Sequence, residues 1–270
     1  MKVAAVQMDI VWEEKEKNRK KCLAFLEKAQ KQNAELILFP EMTLTGFSMN
    51  IDAIGEINDE TTDWFKNKAR EFGLYIGFGH VQKTSGTQEI PSKGRNLFSM
   101  VSPEGIEIAR YAKIHPFSFG MESRFYEGGS ELVLARVKDF QVAPLICYDL
   151  RFPEIFQILS AQAQLIIVAA NWPKSRREHW ITLLKARAIE NQCYIAGVNR
   201  VGRGGGLEYA GDSMIIDPTG TVISREVQGE GLLISDMEVK KVQDIREAFR
   251  VKDDRQEALY ASYYKNDKRL

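Results

Sequence analysis

The sequence has few cysteines, no excess of charge of either sign and no long apolar run. Three cysteines at wide spacing, Cys22, Cys147 and Cys193, indicate neither a disulfide framework nor a zinc site. Lys and Arg together number 37, as do Asp and Glu, so nothing predicts attraction to nucleic acid or to an anionic membrane. No stretch approaches the roughly 18 apolar residues of a membrane span. We expect a soluble protein that has neither nucleic acid nor a membrane as partner.

The N-terminal segment also lacks the features of a targeting signal. Residues 3–6 form an apolar run that Gln7 and Asp9 follow at once, and this run is too short for a signal-peptide core. Together with the odd number of cysteines, this predicts a location in a reducing cytoplasm.

The overall composition is that of a folded globular chain. The 270 residues are 44% hydrophobic and 27% charged. Apolar runs of strand length alternate with amphipathic segments of helix length, which predicts an α/β fold. Because such folds often form one large unit, we expect a single domain over residues 1–270. The tail at about residues 250–270 has no periodic face of its own, and its tyrosines favour docking on a partner subunit over fraying.

Cys147 is the most informative of the cysteines. It follows the apolar run 143–146 and precedes a turn that leads into a helix with Pro153 in its first turn. A thiol at such an elbow can project into a cleft, where nearby helix N-terminal amides favour its thiolate. A buried structural cysteine is the alternative interpretation.

A cysteine nucleophile needs a base, and histidine is the usual candidate. The sequence has three, His80, His115 and His179, and none of them is excluded as the base. No local signature of a Cys-His protease surrounds Cys147. The three histidines are scattered without cysteines at ligand spacing, so we expect no metal site.

A carboxylate and an ammonium group stand at equivalent positions after predicted strands. Glu41 follows the buried run 36–39, at the carboxyl end of a strand, where α/β sheets place their sites. Lys113 follows the predicted strand 107–111, and a lysine held near a thiol can neutralise a developing oxyanion. The alternatives are a glutamate hydrogen-bonded within its own loop and a solvated surface lysine.

The glycine-rich segment at residues 202–206 superficially suggests a phosphate-binding loop. It lacks the Gly-Lys-Ser/Thr ending, and no helical pattern begins directly after it. We predict a flexible loop beside the cleft.

Three segments together resemble the nitrilase, or carbon-nitrogen hydrolase, superfamily. They are residues 39–48 (FPEMTLTGFS), 111–117 (YAKIHPF) and 145–154 (LICYDLRFPE). Further segments, among them 170–173 (ANWP) and 186–192 (ARAIENQ), make the chain most similar to the omega-amidase branch, which hydrolyses 2-oxoglutaramate and related ω-amides. The likeness spans essentially residues 1–250. Pro116, where the family commonly has leucine, is a departure that leaves the Glu, Lys and Cys positions intact.

The resemblance implies a four-layer α-β-β-α sandwich, assembly as a homodimer or higher homo-oligomer, and no cofactor or metal. It implies Glu41 as general base, Lys113 as stabiliser of the oxyanion and Cys147 as nucleophile. A further family glutamate near the site maps best onto Glu122. Glu127 is a rival because the spacing in this loop varies.

The implied reaction splits the terminal amide of a small 2-oxo acid amide, 2-oxoglutaramate or 2-oxosuccinamate, into acid and ammonia through a Cys thioester. The substrate-binding candidates are Tyr148, through its backbone N–H, and Asn171 and Trp172. For the substrate carboxylate, Arg176 is the first candidate because arginine offers a bidentate fork. Arg151 is the second, although an ion pair with a neighbouring carboxylate is an equal alternative for it.

Two other functions stay open at this point. The same chemistry can act on an N-carbamoyl compound, a deaminated glutathione-like amide or a nitrile. An inactive scaffold that keeps the fold is the other possibility. The presence of Glu41, Lys113 and Cys147 argues against it, because loss of any one would be its simplest mark.

Overall fold

The computed structural model describes residues 1–85, 92–226 and 228–265. Within these ranges the α-helices are α1 Lys15–Lys31, α2 Ile51–Ile54, α3 Glu60–Phe72, α4 Glu122–Phe125, α5 Pro153–Leu159, α6 Arg177–Asn191, α7 Val239–Ala248 and α8 Glu257–Lys265. The strands are β1 Lys2–Gln7, β2 Leu36–Leu38, β3 Tyr75–Lys83, β4 Gly94–Val101, β5 Glu107–Ala112, β6 Tyr126–Glu127, β7 Ala135–Val137, β8 Phe140–Ile146, β9 Leu165–Ala170, β10 Tyr194–Asn199, β11 Val201–Gly204, β12 Leu207–Ala210, β13 Ser213–Ile216, β14 Val222–Glu226 and β15 Gly231–Asp236.

Two mixed sheets form the centre of the fold. The first has the order β15-β1-β2-β3-β4-β5, with β6 paired to β4, and the second has the order β14-β13-β10-β9-β8-β7. In each sheet three neighbouring strands are parallel: β1, β2 and β3 in the first, and β8, β9 and β10 in the second. The carboxyl ends of these parallel strands therefore supply loops to the same region.

The alternation of side chains along β1 shows how the layers are built. Val3 and Ala5 lie in the core between the two sheets, whereas Ala4 and Val6 pack in a second cluster with residues of α1 and α3. On the far side, α6 packs on β10 and β13 of the second sheet. The order of layers is helices, sheet, sheet, helices, which confirms the predicted α-β-β-α sandwich.

The glycine-rich segment differs from its prediction. Residues 202–206 belong to the hairpin of β11 and β12, in which Gly204 pairs with Leu207. Gly205 and Gly206 form its turn with φ values of 56° and 77°, the left-handed conformation that such tight hairpins require. The prediction of a flexible loop was wrong, because the two glycines are the turn residues of a regular hairpin.

The C-terminal tail also has more regular structure than its sequence pattern indicated. Residues 257–265 form α8, and Tyr264 Oη lies 3.5 Å from Glu154 Oε1 of α5. The last five residues of the tail, 266–270, lie outside the described residues. Docking of the tail on a partner subunit, and the single domain, stay predictions. No helix in the described parts of the chain is long and apolar enough to cross a membrane.

Candidate active site

Cys147 stands at a tight elbow immediately after β8. Its φ is 48°, a left-handed conformation that is unfavourable for a residue with a side chain. The elbow continues as a 3-10 turn over Cys147–Arg151 before α5 begins at Pro153. The Asp149 carboxylate closes this turn by accepting the backbone N–H of Ile146 at 3.0 Å. The predicted strand-to-helix elbow is therefore present, and its conformation is held by a buried carboxylate.

Glu41 lies in the loop that follows β2, where this loop crosses β3 closely. The backbone N–H of Thr43 donates to the Gly79 carbonyl, and the Gly79 N–H donates to Thr43 Oγ1. A Cβ at position 79 would lie 2.3 Å from the Met42 nitrogen, so only glycine permits this approach. The close contact fixes where the buried Glu41 carboxylate stands.

Lys113 joins Glu41 to a second glutamate. Its Nζ lies 3.1 Å from Glu41 Oε1 and 2.8 Å from Glu122 Oε2, and all three side chains are buried. The Phe117 N–H also donates to Glu122, at 2.6 Å. Glu127, the rival in the sequence analysis, instead faces Arg95 on the surface. Of the two, Glu122 is the glutamate that stands at the site.

Two asparagines complete the hydrogen bonds of Glu41. Asn96 Nδ2 donates to Oε1 at 2.7 Å, and the Asn171 backbone N–H donates to Oε2 at 2.8 Å. Asn171 Nδ2 also donates to the Glu41 carbonyl oxygen at 2.7 Å. Sequence reasoning proposed Asn171 but missed Asn96. Its signal in the sequence was weak, because β4 also contains the polar residues Arg95 and Ser99.

The electrostatics of the cluster favour an ammonium ion and a protonated thiol. Burial and the neighbouring Glu41 raise the pKa of Cys147 well above its usual range, although Lys113 opposes them. Burial by itself would lower the pKa of Lys113, but Glu122, Glu41 and Cys147 outweigh it and raise that pKa well above its usual range. Attack by the sulfur therefore needs a base that takes its proton.

A cavity with an empty volume of about 420 Å³, counting its open mouth, reaches this cluster. Lys113, Cys147 and Asn171 lie along it, together with all the other substrate-binding candidates. The further lining residues are aromatic, apolar or arginine: Phe47, Phe117, Tyr148, Arg151, Trp172, Pro173, Arg176 and Leu207. The cavity thus combines a reactive end with an apolar wall that carries two guanidinium groups.

The two arginines are held by aromatic rings. The Arg176 guanidinium lies 5.0 Å from the centre of the Phe117 ring, and that of Arg151 lies 5.0 Å from the Trp172 ring. Arg151 also contacts His179 Nδ1 at 3.0 Å. Among the described residues neither guanidinium is paired with a carboxylate, so the ion pair considered for Arg151 is absent from this part of the chain.

The three histidines have other partners. His80 Nε2 lies 2.9 Å from Ser99 Oγ, His115 Nδ1 lies 2.8 Å from Asp149 Oδ1, and His179 contacts Arg151. Within residues 1–85, 92–226 and 228–265, no group of three or more His, Cys, Asp or Glu side chains could hold a metal ion. Each histidine thus has another partner, whereas the Glu41 carboxylate acts electrostatically on the Cys147 thiol.

Residues 2–247 match the family model described as carbon-nitrogen hydrolase. The chain belongs to the carbon-nitrogen hydrolase family. It is 33% identical over 261 residues to the 2-oxoglutaramate amidase of Bacillus subtilis (strain 168), covering 96% of this chain and 98% of that one. It is 34% identical over 252 residues to omega-amidase YafV of Escherichia coli (strain K12), covering 92% and 94%.

A solved structure supports the same assignment. XC1258 from Xanthomonas campestris, described as a CN-hydrolase superfamily protein with an arsenic adduct in the active site, superimposes with a TM-score of 0.86. It is 31% identical to this chain, with 95% of this chain and 97% of that one covered. The expected superfamily is confirmed, and the protein is an amidase-type hydrolase of carbon-nitrogen bonds.

Proposed function

We propose that this hydrolase releases ammonia from the terminal amide of a small 2-oxo acid amide, 2-oxoglutaramate or 2-oxosuccinamate. The observation that carries the proposal is one cavity with Cys147 and Lys113 at its reactive end and two arginines on its wall. A primary amide fits the first pair, and a carboxylate at the far end of a short chain fits the guanidinium groups. The similarity to a protein named 2-oxoglutaramate amidase and to one named omega-amidase supports the same class.

In the proposed first half-reaction, Cys147 attacks the amide carbon while Glu41 takes the thiol proton. The new C–S bond forms as the carbonyl electrons move to oxygen, and Lys113 with the Tyr148 N–H stabilises that oxyanion. Glu41 then passes its proton to the nitrogen, the C–N bond breaks and ammonia leaves. The raised pKa of Cys147 favours this concerted base catalysis over attack by a preformed thiolate.

In the second half-reaction, water replaces the amide as the reactant. Glu41 takes a proton from the water as it attacks the thioester and returns that proton to the sulfur as the C–S bond breaks, which releases the acid and restores both the thiol and the Glu41 carboxylate. One carboxylate therefore serves both steps. Glu122 binds Lys113 throughout and holds its ammonium group towards the reacting carbonyl.

The two arginines of the cavity account for substrate recognition in this proposal. We propose that Arg176 binds the substrate carboxylate and that Arg151 assists, with Trp172 forming the apolar wall. Replacement of Arg176 by glutamine should raise KM for an acidic amide at least about 10-fold, because a charge-assisted hydrogen bond contributes about 1.5–3 kcal/mol. Arg136→Gln, a change on β7 outside the cavity, is the matched control.

The test measures ammonia release by the purified protein from 2-oxoglutaramate and 2-oxosuccinamate. An N-carbamoyl compound, a deaminated glutathione-like amide and a nitrile are run in parallel, with Cys147→Ala as the inactive control. We expect turnover of the 2-oxo acid amides that Cys147→Ala abolishes. Turnover of only another substrate would overturn the substrate class, and unchanged KM in Arg176→Gln would overturn the role of that arginine. Assembly as a homodimer and a cytoplasmic location stay predictions.

A further inference from the structure

Asn96 connects both buried glutamates of the site. It lies on β4, between β3 and β5, and is 1% exposed. Its Nδ2 donates to Glu41 Oε1 at 2.7 Å and to Glu122 Oε1 at 3.1 Å. Its backbone carbonyl accepts the N–H of Lys113 at 2.9 Å. One residue therefore contacts both carboxylates and also the backbone of the lysine between them.

The orientation of the Asn96 amide follows from its neighbours. Turning the amide over would place Oδ1 against carboxylate oxygens of Glu41 and Glu122, which have no hydrogen to donate. In the observed orientation Oδ1 is buried and has no partner among the described residues. A buried carbonyl without a donor costs free energy, so the fold retains an unfavourable group in order to direct Nδ2 at the two carboxylates.

The charges around Asn96 explain why such a donor is needed. Two carboxylates, Glu41 and Glu122, share the single ammonium group of Lys113 in a buried space. Their mutual repulsion favours uptake of a proton by one of them. An uncharged N–H donor placed on both opposes that uptake, because hydrogen bonds to a carboxylate favour its ionised form.

Three other titratable groups interact electrostatically with these carboxylates and stay neutral near pH 7: Tyr126, Cys147 and Tyr209. Burial raises the pKa of Tyr126 and of Cys147 well above their usual ranges and raises that of Tyr209 to about 12. Lys113 keeps its proton for the reason given above. The charges of these neighbouring groups are therefore constant near neutral pH.

We infer that Asn96 is a positioning residue, which keeps Glu41 and Glu122 ionised together and holds Glu41 in place to receive the thiol proton. This inference rests on the proposed role of Glu41 as the base. Asn96 does not line the cavity, so it acts on the rate and not on substrate binding. Its loss lowers kcat, leaves KM unchanged and moves the acid limb of the kcat/KM profile to higher pH.

The test compares Asn96→Leu and Asn96→Ser with the wild type on 2-oxoglutaramate, or on butyramide if the 2-oxo acid amide is not turned over. We expect kcat to fall at least about 10-fold, within the range of general-base catalysis, and the acid limb to rise by about 1 pH unit. The matched control is Asn191→Leu, which removes a buried asparagine of α6 that bonds to Arg187 and Ser160. It should leave the pH profile in place.

A second readout does not depend on turnover. The rate at which iodoacetamide alkylates Cys147 is measured by mass spectrometry over a range of pH values, and this rate depends on the same base. The acid limb of this pH profile should move equally in both Asn96 variants. If the acid limb stays at the wild-type pH in folded Asn96→Leu and Asn96→Ser, the inference is wrong. If the wild-type limb persists in Glu41→Gln, the assignment of the base fails instead. The two failures are therefore distinguishable.

Discussion

The Asp149 carboxylate offers a quantitative test of how the elbow at Cys147 is held. Asp149 is buried and accepts four hydrogen bonds. Oδ1 accepts the His115 backbone N–H at 3.1 Å and its Nδ1 at 2.8 Å, while Oδ2 accepts Tyr111 Oη at 2.8 Å and the Ile146 N–H at 3.0 Å. These bonds join the segment before the elbow to Tyr111 on β5 and to His115 in the loop that follows Lys113.

The perturbation is Asp149→Asn, which keeps the shape of the side chain. The –NH2 group of the amide faces one backbone N–H in either orientation, so that hydrogen bond is lost, while the Tyr111 hydroxyl or His115 Nδ1 beside it must reverse its role and accept. The unsatisfied buried donor costs about 1–3 kcal/mol, and the three remaining bonds lose the contribution of the carboxylate charge, which together predict a loss of about 2–6 kcal/mol in the free energy of unfolding. Tyr111→Phe removes the phenolic donor and, with it, the acceptor of the long 3.3 Å hydrogen bond from the Ile114 N–H, and should cost about 1 kcal/mol.

The assay is urea unfolding of both variants beside the wild type, together with steady-state kinetics on the best amide substrate. Because the affected bonds connect the loops of Lys113 and Cys147, we expect kcat to fall at least about 10-fold in Asp149→Asn, as a displacement of about 1 Å at a site can cost more than this. A destabilisation no larger than that of Tyr111→Phe, with unchanged kcat, would refute the reasoning.

Two further predictions concern β3. Burial lowers the pKa of His80 to about 4 from its usual 6.5, so the folded state binds fewer protons than the unfolded state as the pH falls. The free energy of unfolding should therefore drop by about 2 kcal/mol between pH 7.5 and pH 5. Urea titrations at the two pH values should show a smaller drop in His80→Gln, and an equal drop in both proteins would contradict the prediction. Gly79→Ala forces the Glu41 loop to move and should lower kcat/KM at least about 10-fold, whereas Gly73→Ala, where an added Cβ meets no atom within 4 Å, should keep wild-type activity.

The site residues that the sequence predicted share one property, their position after a strand. Glu41 and Cys147 follow runs of apolar residues, whereas Lys113 follows the mixed polar and apolar strand β5. Because β5 is antiparallel to β4 and β4 is antiparallel to β3, β5 runs in the same direction as β2 and β3 and ends at the same edge of the sheet. Asn96 lies inside β4, where a polar residue has no local feature that separates a site from a buried hydrogen bond. The sequence could not decide between Glu122 and Glu127, because both follow β5 and the choice depends on how the chain folds after that strand.

The fold could be predicted from the sequence where the hydrophobic periodicity is strong, and less well where backbone conformation and strand pairing determine the structure. The fully buried strand Leu165–Ala170 follows its apolar sequence directly. The hairpin at residues 201–210 depends on the conformation of two glycines and on strand pairing, which a glycine-rich composition does not specify. Helix α8 lacks an apolar stripe, so its sequence contained no helical period to detect.

The pairing of β15 with β1 has a consequence for synthesis of the chain on the ribosome. Residues 2–7 are made first, yet their partner strand is residues 231–236, which leave the ribosome after most of the protein. Until then one side of β1 presents unpaired backbone groups, which can recruit another nascent strand. A nascent chain that has emerged only as far as residues 226–230 would have all six strands of the second sheet beside an open first sheet, so we expect chaperones to be needed most during this short interval.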